Sequence, residues 1–359
     1  MTTVHFDTER AEVFAGRLVE VLDSASLALM LSIGHRTGLL DALAVSGDVT
    51  SEELAEAAGL NERYVREWLG ALTTASVVEY DPETARYCLP TEHAAWLTRG
   101  AAPDNFAVTM QYIPLLGAVE ADIVRCFREG RGVPYERFER FHEVMAEESG
   151  QTTLSSLHSH ILPLIEGSEA RLETGATLAD LGCGRGRALI SLAERFPNSR
   201  FVGYDLSAEA IAYARQQAAE LGLDNVEFVQ RDLSTFDVDA ETEAFDLVAT
   251  FDAVHDQARP LAMLRGIRRT LKPGGAYLMQ DIHGSSHVHE NLDLLGGTFL
   301  YTISCLHCMT VSLAQGGEGL GAMWGEQKAQ ELLNNAGFGT VAVHRLEHDP
   351  FNVYFVATT

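Results

Sequence analysis

Lysine is almost absent from this chain of 359 residues, where only Lys272 and Lys328 accompany 24 arginines. Cations of both kinds number 26 against 51 acids, for a formal net charge of −25 at pH 7. A surface so acidic repels nucleic-acid phosphates and anionic lipid, so no nucleic-acid partner and no membrane partner are expected. Cysteines number five (Cys88, Cys126, Cys183, Cys305 and Cys308), too few in such a length for a disulfide framework, and they read as reduced thiols. The opening residues mix charges of both signs and contain no apolar stretch of the signal-peptide kind. The longest apolar run, around Ala25 to Ile33, is interrupted by Ser26 and Ser32 and falls short of the roughly 20 residues of a membrane span. A cytoplasmic location follows as the expectation. With 46% hydrophobic and 21% charged residues, the chain has the composition of a folded protein rather than of a disordered, collagenous or coiled-coil one. Its length suits two domains at about 150 residues each.

The front half reads as helical. Val13, Leu18, Val19, Leu22, Leu27 and Leu31 recur at helical spacing and predict a helix over 8–45. Thr50 and Glu53 form a capping box for the next helix, which Gly59 ends, and residues 61–74 present Val65, Trp68, Leu69 and Leu72 on one face. Val77–Tyr80 and Arg86–Leu89 flank the turn Asp81-Pro82-Glu83-Thr84 as a hairpin. Helix, turn, helix and hairpin make a winged helix, but residues 1–100 hold 7 basic and 16 acidic side chains. A DNA reader shows a basic face, so this domain is expected to dimerise rather than bind a duplex. The expected division is 1–100 for the winged helix and 101–166 for a helical linker contributing to a substrate pocket. Residues 167–359 would form the second domain.

From residue 176 the pattern changes to strand, turn and helix in alternation. Strands are predicted at 177–181, 200–204, 226–230, 245–250, 276–280, 341–345 and 353–357, with helices at 186–196, 207–221, 257–271 and 325–336. The fold class is therefore α/β: a Rossmann-like parallel sheet with a C-terminal antiparallel hairpin, behind an N-terminal helical winged-helix domain. Ligands of such sheets sit at the carboxyl ends of the strands. Asp180, Asp205, Asp232 and Asp252 stand at four of those ends. Asp180-Leu181-Gly182-Cys183-Gly184-Arg185-Gly186 forms a glycine loop after the first strand, and the dinucleotide fingerprint would need glycine where Arg187 stands. Four carboxylates around one crevice repel a pyrophosphate and suit a ligand bearing a sulfonium, an ammonium, a ribose diol and an adenine amine.

The ordered pieces ADLGCGRG at 179–186, GYD at 203–205, QRDL at 230–233, FDLV at 245–248 and LKPGG at 271–275 resemble the class I S-adenosylmethionine-dependent methyltransferases. The resemblance implies S-adenosyl-L-methionine as methyl donor, held by Asp180, Gly182, Cys183, Gly184, Asp205, Leu206, Asp232, Leu233, Thr250 and Phe251. Over nearly its whole length the chain looks like the winged-helix small-molecule O-methyltransferases, which implies a small-molecule acceptor and a homodimer through the N-terminal domain. His255 and Asp256 match that group's His-Asp pair, whose histidine is the general base, although Gln257-Ala258 replaces the usual Trp-Ser. The insertion at 282–325 reads as an acceptor lid containing Cys305, His307 and Cys308. By resemblance to the related α-keto acid C-methyltransferases, His255 and His307 are also the candidate ligands of a divalent or ferric metal ion. His307 is otherwise a catalytic-pocket residue. A regulator that senses S-adenosylmethionine and uses its winged helix on DNA is the reading from a different class.

Overall fold

The structure, a computed structural model, describes residues 6–358 and falls into two compact units, 1–115 and 116–359. This boundary assigns the segment 101–115 to the first unit and 116–166 to the second, where the sequence suggested one separate linker.

In the first unit the predicted helix over 8–45 is two helices, Thr8–Thr37 and Leu39–Ser46, broken at Gly38 with φ +76°. The left-handed conformation that ends the first helix suits a residue without Cβ. The capping box is present with both of its bonds: Thr50 accepts from the Glu53 amide, and Glu53 accepts from the Thr50 amide. Glu62–Thr74 follows, capped by Asn61, and buries Val65, Trp68, Leu69 and Leu72. Trp68 donates its indole N–H to the Met30 carbonyl at 2.9 Å. A two-stranded sheet, β1 (Glu79–Asp81) and β2 (Arg86–Cys88), completes the wing. The apolar stripe of the first helix is largely unburied. Leu31 packs into the core, but Val13 is 70% exposed and Leu22 is 66% exposed.

The second unit contains seven strands: β3 (Thr177–Leu181), β4 (Arg200–Asp205), β5 (Val226–Gln230), β6 (Phe245–Phe251), β7 (Leu271–Ile282), β8 (Thr340–Leu346) and β9 (Asp349–Thr358). They lie in the order β5-β4-β3-β6-β7-β9-β8, parallel through β7, with β9 antiparallel to both its neighbours. The order reverses between β3 and β6, the place where open α/β sheets leave a crevice for ligands. Helices Arg187–Arg195, Ala208–Glu220, Pro260–Thr270 and Gly325–Ala336 cover the sheet. Their apolar faces meet fully buried strand residues such as Phe201, Leu247, Tyr277 and Phe355.

The remainder of this unit is less regular. Helix Phe141–Ser149 runs into a π-helical turn, Gly150–Leu154, and another follows at Leu157–Ile161. The insertion after β7 contains a helical run whose middle turn, Ser304–Cys308, is also π-helical. This stretch corrects the sequence reading: Gly297–Ala314, 18 residues, is long and apolar enough to cross a membrane by length and composition. It is an interior helix of this unit, burying Leu300, Val311 and the polar His307 and Ser312.

Candidate active site

The glycine loop lies over the carboxyl end of β3. Gly182, Gly184 and Gly186 all have positive φ, and two of them have no room for a side chain. A Cβ on Gly182 would lie 2.4 Å from that of Ala253, and one on Gly186 would lie 2.3 Å from the Phe228 ring. The amides of Gly182 and Cys183 donate to the Tyr204 carbonyl, tying the loop to β4. Asp205, the last residue of β4, accepts from the amides of Gly184 and Ser207, each at 2.8 Å. Both bonds fix its carboxylate at the strand end. Asp180 is 2% exposed and one of its oxygens, Oδ1, has no hydrogen-bond donor among the described residues. Burial, with the Asp205 charge nearby, pushes its carboxyl up to about 8.

These residues line one cavity of about 740 Å³. Asp180, Gly182, Cys183, Gly184, Asp205, Leu206, Asp232, Leu233 and Phe251 all border it, as does Asp252. The four strand-end aspartates therefore do converge. Thr250 is the exception among the expected donor residues: it is fully buried, its hydroxyl is paired with the Tyr277 hydroxyl at 2.7 Å, and it does not reach the cavity. Its strand position directs it into the sheet's packed face.

The same cavity is also lined by the aromatic Tyr135, Phe138, Phe141 and His142, and by Val311 and Gln315 from the insertion. Asp256 faces the cavity, and His255 lies one layer behind it. Both imidazole nitrogens of His255 meet carboxylates: Nδ1 is 2.7 Å from Asp281 Oδ1 and Nε2 is 3.3 Å from Asp256 Oδ1. Burial opposes the imidazolium, but Asp281 and Asp256 outweigh it and hold His255 well above its ordinary range. Asp281 also accepts the Trp324 indole N–H at 2.9 Å and the Ile282 amide at 2.9 Å, so its orientation is fixed. Tyr135 donates its hydroxyl to the second Asp256 oxygen at 3.0 Å.

Asp281 and Tyr135 were not singled out in the sequence. Asp281 is 26 residues from its partner, with no motif to mark the pair, and Tyr135 lies in an aperiodic segment. Burial lowers the His307 imidazole well below its usual range, and His142 and His255 add to this. Its ring stacks on Phe141 with centroids 3.5 Å apart, its Nδ1 is 3.9 Å from Asp256 Oδ2, and neither nitrogen has a hydrogen-bond partner among the described residues.

The metal question can be tested against these atoms. His255, Asp256 and Cys308 place one ligand atom each within 4.8 Å of one another. With Asp281 on His255 Nδ1, Nε2 is left toward that cluster, the usual outer-shell arrangement of a metal-binding histidine. The residues fit an ion, although the group is His255, Asp256 and Cys308 rather than the expected pair of histidines.

Comparison with known proteins agrees with this architecture. Residues 25–99 match the Rv2258c-like winged HTH domain, and residues 172–337 match a family described as methyltransferase domain. The second unit contains a methyltransferase domain. Its relatives include trans-aconitate 2-methyltransferase of Azoarcus sp. (strain BH72), 37% identical over 30% of this chain and 40% of that protein. Cypemycin N-terminal methyltransferase of Streptomyces sp is 39% identical over 28% of this chain and 40% of that protein. The chain thus spans less than half the length of these curated relatives. Among solved structures, mitomycin 7-O-methyltransferase superposes with a TM-score of 0.70 at 19% identity, covering 98% of this chain and 100% of that one. Human N-acetylserotonin methyltransferase, solved in complex with SAM, gives 0.67 at 18% identity, covering 100% and 99%. At such identities the likeness shows the fold, which here extends through the winged helix as well as the methyltransferase domain.

Proposed function

We propose that the chain transfers a methyl group from S-adenosyl-L-methionine to a hydroxyl of a small molecule. One observation carries the reading: the strand-end carboxylates, the glycine loop and Asp256, backed by His255, border one cavity. The donor, when bound, supplies an electrophilic methyl on a sulfonium. Asp205 suits its ribose diol, Asp232 and Leu233 the adenine, and the side-chain-free loop the close approach of the methionine part.

The chain's own task is to orient the acceptor in line with the methyl and to receive its proton. The expected base, His255, is held protonated between Asp281 and Asp256 behind the cavity wall, so in this scheme Asp256, which borders the cavity, takes the acceptor's proton while His255 and Asp281 stabilise it from behind. His307, neutral and fully buried, does not border the cavity, and it supports the wall only through Phe141, on which it stacks. His255→Ala tests this: donor binding measured by calorimetry should persist while transfer is lost. Persisting transfer would dismiss the role of the pair.

A second reading is favoured by the donor cluster. His255, Asp256 and Cys308 would hold a divalent or ferric ion, with His307 adjacent, and the ion would supply Lewis acidity for C-methylation of a 2-oxo acid. Metal analysis of protein purified without an affinity tag, followed by activity after chelation, separates the two. No metal and no loss of activity removes the second reading.

The exposed stripe of Val13, Leu18, Val19 and Leu22 supports a homodimer through the first helix, since such a face is rarely left to water. Leu22→Glu should shift the molar mass measured by light scattering toward the monomer. The acidic first unit supports an enzyme over a DNA regulator. Salt-sensitive duplex binding would reverse that choice.

A further inference from the structure

Glu209 stands four residues beyond Asp205, near the start of helix Ala208–Glu220, and its carboxylate is shared by two parts of the cavity wall. Its Oε1 is 2.6 Å from Nη2 of Arg185, in the glycine loop. Its Oε2 is 3.5 Å from Nδ1 of His142, on helix Phe141–Ser149. All three side chains border the cavity. The Arg185 guanidinium also lies over the Tyr213 ring, 4.4 Å from its centroid, so the loop end of this tie is braced from a second direction.

A second tie runs in parallel. Arg187, on the other side of Gly186, donates from its guanidinium to the Ala146 carbonyl, one turn beyond His142 on the same helix. Gly150 gives it passage, since a Cβ there would lie 2.4 Å from Arg187 Nη1. Both arginines that flank the last glycine of the loop therefore reach helix Phe141–Ser149, Arg185 through Glu209 and Arg187 directly.

That helix carries the acceptor-side contacts. Phe141 stacks on His307, and the His142 ring packs against Tyr135 with centroids 6.0 Å apart. Tyr135 in turn donates to Asp256. A displacement of the helix is felt, through two aromatic contacts and one hydrogen bond, at the carboxylate assigned to the acceptor's proton.

We propose that Glu209 is a positioning residue: with Arg185 and His142 it joins the glycine loop to the acceptor wall, so that binding of the methyl donor orders helix Phe141–Ser149 and completes the acceptor site. The proposal rests on the donor reading above, because the ligand that steadies the loop is taken to be the donor. A ligand shifts an equilibrium only by its differential affinity for the two states, and here the state it favours is the one with the loop in place and the ties made. The Glu209 side chain is 55% exposed, so each tie is weak, about fivefold at most in the balance between docked and loosened helix.

Hydrogen–deuterium exchange of the full chain, read by mass spectrometry with and without saturating S-adenosylhomocysteine, tests it. In the native sequence the ligand should slow exchange of residues 141–149 by about two- to fivefold, together with that of the loop at 182–186. Glu209→Gln and His142→Phe should each lose most of the slowing at 141–149 while the loop stays protected. Glu209→Gln combined with Arg187→Met should lose all of it. By linkage, affinity for S-adenosylhomocysteine should fall in His142→Phe by no more than the slowing that is lost. Strands β3 to β7 are the internal control for folding and should exchange alike in every variant.

If the ligand protects the loop but leaves 141–149 unchanged in the native sequence, the coupling is wrong. It is equally wrong if Glu209→Gln weakens binding yet keeps the full slowing at saturation, because Glu209 is then a contact of the ligand and not a tie to the helix. Failure of the native protein to bind S-adenosylhomocysteine at all would instead overturn the donor reading itself.

Discussion

The two sides of the cavity are built by different means. On the donor side, carboxylates sit at or just past the ends of regular parallel strands, and backbone amides two to twenty-one residues away fix Asp205 and Asp232. On the acceptor side, the wall comes from short helices, π-helical turns and an insertion, and its polar groups are fixed by side chains 26 to 121 residues distant. Strand ends are placed by the sheet, so a residue's position in the strand already says where its side chain goes. Irregular walls take their geometry from packing that only the folded chain shows.

Breaking the acceptor side at its centre should have the largest effect. His255→Ala removes the partner of Asp256 and leaves Asp281 as a buried, uncompensated carboxylate. Steady-state transfer is expected to fall on the order of 10²–10⁴, the usual contribution of a positioned acid or base. Donor affinity should stay within about twofold, because the imidazole lies outside the cavity-lining donor residues. Comparable losses in both measurements would mean that the two sides are not separable.

Breaking the donor side should give the mirror image. Asp205→Asn keeps the shape but replaces two anionic acceptors with one neutral carbonyl, weakening the bonds from the Gly184 and Ser207 amides and any bond to a diol. Donor affinity should drop on the order of ten- to a hundredfold. Thermal denaturation of the free protein distinguishes loop damage from loss of ligand contact. Unchanged affinity would count against the donor cradle.

The comparison also shows which features were legible before folding. All seven expected strands of the methyltransferase unit are found, because apolar runs between turn residues mark them; five agree within one residue, whereas β7 and β9 begin five and four residues before the expected 276 and 353. The Thr50–Glu53 capping box is likewise local and therefore readable. The break at Gly38 was missed, since apolar spacing continues across it and one glycine does not by itself end a helix. Thr250 was assigned to the cavity from its place in the motif, although alternation along β6 turns it toward Tyr277. The Asp281–His255–Asp256–Tyr135 chain was invisible for another reason: its members are brought together from β7, the loop after β6 and the segment before Phe138.

A pH measurement sharpens the contrast from the donor side. Asp180 has its folded carboxyl raised to about 8 by burial and by the Asp205 charge, whereas in the unfolded chain it titrates near the ordinary value of about 4. The folded state thus binds more protons than the unfolded one between these values, and this group's contribution to stability is lost as pH rises through that window. A cationic ligand reverses the penalty by favouring the ionised carboxylate. The rise in Tm produced by donor should therefore grow from pH 6 to pH 8.5, and Asp180→Asn should flatten it. A ligand-induced shift independent of pH would place the ligand's positive charge elsewhere.

The smallest effect expected is at the back of the acceptor side. Trp324→Phe removes one of the two N–H donors to Asp281 Oδ1 other than His255 while keeping most of the ring's packing. With one donor fewer, the Asp281 carboxylate is a stronger base and draws the His255 proton more firmly, so less of it is available to the Asp256 pair. Activity should fall only a few-fold, since a single neutral donor is worth about 0.5–1.5 kcal/mol. The rising limb of kcat against pH should move with it, while donor affinity stays fixed. A change in donor affinity without a change in the pH profile would show that Trp324 serves packing of the insertion and not the orientation of Asp281.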